Sequence, residues 1–225
     1  EYVPDQFEPI PQPVLAPDVL LADSKYRVVN MPFQKFGSFC ISTWSKNIPA
    51  LQETLKGKEV TLFYSDSYLN APLGAMLFTE LLKNLRRDLS VHFKSIDLNL
   101  CRLKKVYETH DDKVYQNWYK DEQRRTFLTK ILNDNGFDNV KIVDQPSDRM
   151  EHFRYFEIET DSHCVTIRPD GGIAYGWEVI PGVTFPFHGT LQDQVKVYIN
   201  ILKSSTLGPH KNTALLATII IEKLG

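Results

Sequence analysis

The segment Glu151-His152-Phe153-Arg154-Tyr155-Phe156-Glu157-Ile158-Glu159 holds the residues best placed to do chemistry. On a strand, His152 and Arg154 point to one face because they are two apart, and Glu159 lies five beyond Arg154 at the far end. A neutral imidazole beside a guanidinium suits a phosphate. Histidine can attack phosphorus or carry a proton, and the planar guanidinium grips two oxygens. A second pair, His92 and Lys94 in Val91-His92-Phe93-Lys94, also falls on an expected strand. Asp66 and Tyr68 close an apolar run, and Arg168 and Trp177 follow on later strands; with His92 and Lys94 they are the candidate ligand contacts. Each residue has a plainer reading. His152 and His92 can be packing residues, Arg154 can pair with Glu157 or Asp148, Asp66 can cap the next helix, and Trp177 can be core.

Other chemistries find no footing. No G-x-G-x-x-G, Walker, G-x-S-x-G or H-E-x-x-H spacing occurs, so Gly171-Gly172 is not a phosphate-cradling loop. His110-Asp111-Asp112 imitates a metal site without a further ligand nearby and reads as a solvated loop. Cys40, Cys101 and Cys164 are odd in number and widely spaced, which argues for buried thiols in a reducing, cytoplasmic compartment. No metal or cofactor is expected. A net charge of −2 weighs against a generic nucleic-acid coat protein, although Arg86-Arg87, Lys104-Lys105 and Arg124-Arg125 could together line a groove.

These residues need a scaffold. At 225 residues, 42% of them hydrophobic, the chain suits one elaborated domain spanning 25–225, after a proline-rich arm or linker at 1–24. No apolar run reaches membrane-spanning length and no leader is visible, so a soluble chain is expected. The start without Met suggests a piece of a larger polypeptide. Short β-branched or aromatic runs at Tyr26–Met31 and Gly37–Thr43 read as strands, and Asn47–Leu55 reads as a short helix with Pro49 in its first turn. Glu59–Tyr64 is a nearly continuous apolar run, expected to be covered on both faces. The amphipathic helix Pro72–Arg86 and the strand Leu89–Ile96 complete a parallel βαβ unit. Asp121–Asn133 reads as a helix and Val140–Val143 as a buried strand, with 101–118 irregular between. From Phe153 to Ile180 an antiparallel meander is expected, with Asp170-Gly171-Gly172 as its tight turn. Thr190 begins a helix over Leu191–Leu202, and Thr213–Leu224 reads as a closing helix.

The His152 segment resembles the signature of the phospholipase D-like superfamily: His, any residue, Lys, four residues, Asp, then a second strand and a glycine turn. Here that reads His152, Arg154, Glu159, then Ser162 to Pro169 and Gly171-Gly172. Val60–Tyr64 with Asp66 and Tyr68 at its end is similar to the opening of that fold. The nearest form is the phospholipase D-like C-terminal domain of some MIT-domain proteins, with a His-x-Arg strand leading into a Gly-Trp turn, as Gly176-Trp177 does here; similar pieces accompany bacterial helicases and phage-defence proteins. The resemblance covers residues 58–202 and implies an α/β fold, a mixed sheet sandwiched by helices, in phospholipase D-like topology. Arg154 stands for the usual lysine and Glu159 for the aspartate. The His92 motif has Asp97 too early and Asn99 at the acid's position. The implied function is therefore a non-catalytic module that docks nucleic acid or anionic lipid head groups for a larger protein. The alternative is a metal-independent phosphodiesterase or nuclease completed by homodimerisation. There His152 would be nucleophile or general acid, Arg154 would hold phosphoryl oxygens and Glu159 would orient the histidine. A protein–protein scaffold is the third reading. The strand at Val60–Tyr64 should neighbour that at Phe153–Ile158 and bring Asp66 or Tyr68 near His152.

Overall fold

The computed structural model describes residues 19–20, 30–104, 112–150, 154–169, 171–209 and 217–224. Its elements in chain order are β1 (Val19–Leu20), β2 (Met31–Pro32), α1 (Phe36–Asn47), α2 (Pro49–Leu55), β3 (Glu59–Asp66), α3 (Pro72–Asp88), β4 (His92–Cys101) and α4 (Asp121–Asp134). They continue with β5 (Val140–Gln145), β6 (Tyr155–Glu159), β7 (His163–Pro169), β8 (Trp177–Ile180), α5 (Leu191–Ser204), β9 (Thr206–Pro209) and β10 (Ala217–Lys223).

Seven strands form one mixed sheet in the order β1-β10-β7-β6-β3-β4-β5. The β3, β4 and β5 strands run parallel, and β6, β7, β10 and β1 add antiparallel to them. A right-handed crossover is the rule for parallel neighbours, so successive steps β3–α3–β4–α4–β5 in one direction put both helices on the same face. Val60, Leu62 and Tyr64 of β3 pack there with Leu73, Leu77 and Leu81 of α3 in one core. Tyr64 lies between Phe78 and Phe156 in an aromatic stack, at centroid distances of 4.9 and 4.2 Å. The α5 helix packs beside α4, and its start is fixed by a reciprocal pair: Thr190 Oγ1 accepts from Asp193 N, and Asp193 Oδ2 accepts from Thr190 N. A second sheet, β2-β9-β8, closes one side.

The helices α1 and α3 meet closely because Gly37 has no side chain. A Cβ there would stand 2.6 Å from Glu80 O and 2.7 Å from Asn84 Cβ. Beneath this contact Glu80 is buried, paired with Lys83 at 2.7 Å, and accepts a hydrogen bond from Tyr198 Oη at 3.3 Å.

Several expectations are corrected. Gly37–Thr43 is part of helix α1, not a strand: Phe36, Cys40, Ile41 and Trp44 are buried at helical spacing. Thr213–Leu224 is no helix where it is described. Its β-branched Thr218, Ile219, Ile220 and Ile221 form strand β10 against β7. The meander stops after β7, because β8 leaves for the second sheet. The sheet is not sandwiched: among the described residues the helices pack on one face, and Phe63, Val143, Tyr155 and Ile220 on the other lie outside the packed core. Of the expected proline-rich arm only Val19–Leu20 is described, and it pairs with β10. Of the expected strand Tyr26–Met31, residues 26–29 lie outside the described residues, and Met31 begins β2. No described helix is long and apolar enough to cross a membrane.

Candidate functional site

Strand β3 ends in a buried carboxylate. Asp66 is 2% exposed; its Oδ2 accepts from Tyr64 Oη at 2.5 Å, and its Oδ1 accepts from Tyr68 N at 2.6 Å. It does not cap α3, whose N-cap is Ala71 with no side-chain bond. Burial raises the Asp66 carboxyl above the ordinary aspartate range. The Tyr64 hydroxyl, the Tyr68 N–H and the guanidinium groups of Arg154 and Arg124 pull it back down.

The strands β3 and β6 are neighbours, Ser65 opposite Tyr155, so Arg154 arrives beside Asp66 with Nε 3.7 Å from Oδ1. Its guanidinium lies over the Tyr68 ring, Cζ 4.1 Å from the centroid. The turn from β7 to β8 closes in behind it. Gly172 has φ of +78°, and a Cβ on it would stand 2.8 Å from Arg154 Cδ; a Cβ on Gly171 would run into the Tyr175 ring. The result is a cleft of about 230 Å³ lined in part by Asp66, Tyr68, Tyr115, Arg154, Tyr175 and Trp177. Tyr68, Tyr115 and Tyr175 are 56%, 45% and 55% exposed, so the most exposed aromatics of the described chain all border this one cleft. Trp177 serves both sides: it lines the cleft and meets Phe36 edge-on at 5.5 Å in the core.

Arg124 holds the walls together. It is fully buried and donates to Leu69 O, Asn70 Oδ1, Cys101 O, Asp121 Oδ1 and Asp144 Oδ1, at 3.4, 3.0, 2.8, 3.0 and 2.5 Å. These acceptors belong to the loop after β3, the end of β4, the first turn of α4 and β5. Two backbone bonds tie the Tyr115 segment to the Tyr68 loop: Leu73 N to Val114 O at 2.6 Å and Trp118 N to Asn70 O at 3.0 Å.

Four of the expected site residues meet here: Asp66, Tyr68, Arg154 and Trp177. Others do not. Glu159 pairs with Thr61 at the opposite edge of the sheet, about 17 Å along the strand from Arg154 at ~3.3 Å per residue. His92, opposite Glu59, and Lys94 lie at that same far edge, where Lys94, Lys58, Glu159 and Asp161 border a separate hollow of about 360 Å³. Arg168 is exposed on β7, on the sheet face that carries no helix. His152 falls outside the described residues, as do His110 and Asp111. No group of three possible metal ligands occurs among the described residues. The described basic clusters do not line a groove, and Lys105 lies outside the described residues. Arg124 is internal, Arg86 caps the end of α4 through Asn135 O and Gly136 O, and Arg87 is bound up with Asp88. Tyr115 and Tyr175 were missed. Their signal is an aromatic beside a turn, which periodicity does not register.

Fold and cleft together define a two-layer α/β domain with an aromatic-walled cleft at the carboxyl ends of its parallel strands, the usual place for ligands in open α/β sheets. Its family follows from comparison with known proteins. Residues 26–218 match the C-terminal domain of the DEAD/DEAH box helicase YjiV, and the chain belongs to that family. A search of the curated proteins found no match. The family match overturns the phospholipase D-like resemblance, with its topology, its phosphate-docking module and its dimer-completed phosphodiesterase. The expected neighbourhood of β3 and β6 is present, with Asp66 and Tyr68 beside Arg154 and Glu159 at the far end of β6, so the correction rests on the family match.

Proposed function

We propose that this domain is an accessory module of a DEAD/DEAH-box helicase polypeptide and that its tyrosine cleft receives unstacked bases of single-stranded nucleic acid. The observation that carries the reading is the convergence of Tyr68, Tyr115 and Tyr175, each about half exposed, on one cleft beside Arg154. Exposed aromatic rings cost solvation, and bases that stack on them recover it at about 1–3 kcal/mol each, whatever the sequence. A helicase produces such strands, and its family name supports this ligand class over others. Duplex DNA hides its bases, and a cleft with Arg154 as its lining cation offers little to a phosphate backbone.

The test is fluorescence anisotropy with labelled single-stranded and duplex oligonucleotides, DNA and RNA. The expected outcome is preference for single strands and a shallow salt dependence. Tyr68→Ala and Tyr175→Ala should each weaken binding by about 5- to 100-fold, the equivalent of one lost stacking contact. Equal affinity for duplex, or variants that bind like the parent, would sink the reading.

A further inference from the structure

The face of the seven-stranded sheet that no described helix covers is unusual for its parallel strands. Parallel strands such as β3, β4 and β5 ordinarily carry helices on both faces. Here Phe63, Val143, Tyr155 and Ile220 lie on the face that no described helix covers, outside the packed core. Phe63 and Tyr155 are paired rings, 5.8 Å apart. Beside them the face is acidic. Glu157 faces Thr166 on β7, Glu159 faces Cys164, and Glu222 faces Cys164 from the other side. These three carboxylates share one field: Glu157 is raised by burial first and then by Glu159 and Glu222, with Arg168 working against them. Cys164 feels the same three charges.

We propose that this face docks a protein partner through a lysine- or arginine-rich helix, with the Phe63–Tyr155 pair taking its apolar side and the carboxylates of Glu157, Glu159 and Glu222 taking its cations. Charge complementarity selects that occupant. Nucleic acid is repelled by the carboxylates, and a second copy of this chain would set the same carboxylates against one another. A helix fits at the Phe63 end of the patch, where β3 runs parallel to β4 and such strands are ordinarily covered by helices. The face is separate from the tyrosine cleft, whose rings border the carboxyl end of β3. The inference rests on the proposed function only in naming the probe, the motor portion of a helicase of this family supplied as a separate polypeptide.

Isothermal titration calorimetry of the chain against that motor portion, at low and high salt, tests it. Binding should be one to one and weaken with salt. Glu157→Lys and Glu222→Lys should each reduce affinity by about tenfold or more, and Glu157→Gln by less. Glu222→Lys relieves repulsion within the face, so its thermal stability should hold or rise while binding falls, which separates docking from misfolding; Glu157→Lys also meets Arg168, and Glu157→Gln serves as its folded control. The same variants should bind single-stranded oligonucleotide like the parent, so failure of the face and failure of the cleft are told apart. No binding, or binding indifferent to Glu157→Lys and Glu222→Lys, would overturn the proposal.

Discussion

The two rims of the seven-stranded sheet, at opposite ends of β3 and β6, carry similar charged residues and differ in what those residues can do. At the carboxyl end of β3, Asp66 is buried, doubly hydrogen-bonded and faced by Arg154, over a loop held by the buried Arg124. At the other edge, Lys58 meets Asp161 at 3.2 Å with both groups largely in solvent, and His92, Lys94 and Glu159 are exposed. Solvent screens the second set, and a surface ion pair contributes little. Residue type alone did not distinguish the edges. Burial and backbone ties did.

Removing the clamp breaks the comparison most directly. Arg124→Ala strips five hydrogen bonds and leaves Asp144, 5% exposed, with only the more exposed Arg125 as its ion-pair partner. The expected loss is about 3–5 kcal/mol in urea unfolding, the range for one member of a buried ion pair. A loss below about 1 kcal/mol would mean that the cleft edge is no better held than the other.

A smaller effect comes from Asp66→Asn and reads out in pH. The folded-state carboxyl is raised above its unfolded value, so the folded protein keeps a proton where the unfolded chain has lost it. Its stabilising contribution is present below the ordinary aspartate range and is lost as pH rises through the raised value. Asp66→Asn should flatten that part of the stability profile, leaving the parts due to Glu80 and Glu157, which burial shifts in the same direction. A stability–pH curve that the substitution leaves unaltered would remove the claim that burial sets this edge apart. Smallest of all are His92→Ala, Lys94→Ala and Glu159→Gln. Each should change stability by no more than about 0.5 kcal/mol and leave oligonucleotide affinity as it was. A loss of binding in any of them would move the site to the far edge.

The parallel unit was legible because its signals are long and clean: the apolar run of β3, the amphipathic α3 and α4, and short β5 lie close to where they were expected. But β3 alternates in burial along most of its length instead of being covered on both faces, and β5 is a half-exposed edge strand instead of a buried one. The ends were not. Gly37-Ser38-Phe39-Cys40-Ile41 has strand-like local composition, and only its contact with α3 makes it a helix. The Ile219-Ile220-Ile221 run, read as helix, takes the strand form its β-branched residues prefer once β7 offers an edge. Half of the cleft could be read because Asp66 and Arg154 sit at strand termini. Tyr115 and Tyr175 come from turns, where position depends on Gly171, Gly172 and the cross-tie to Asn70 rather than on any repeating pattern.

The ties between the Tyr68 loop and the segment around Tyr115 have a consequence for dynamics. That segment lies between β4 and α4 and has neither helix nor named strand, so by its backbone alone it would open early. Yet Trp118 is fully buried against Phe127 and Phe185, and its backbone N–H donates to Asn70 O. The amides of Leu73 and Trp118 are therefore expected to exchange with deuterium on the timescale of global unfolding, in step with the core strands. The Tyr115 wall of the cleft is then expected to open only when the domain does.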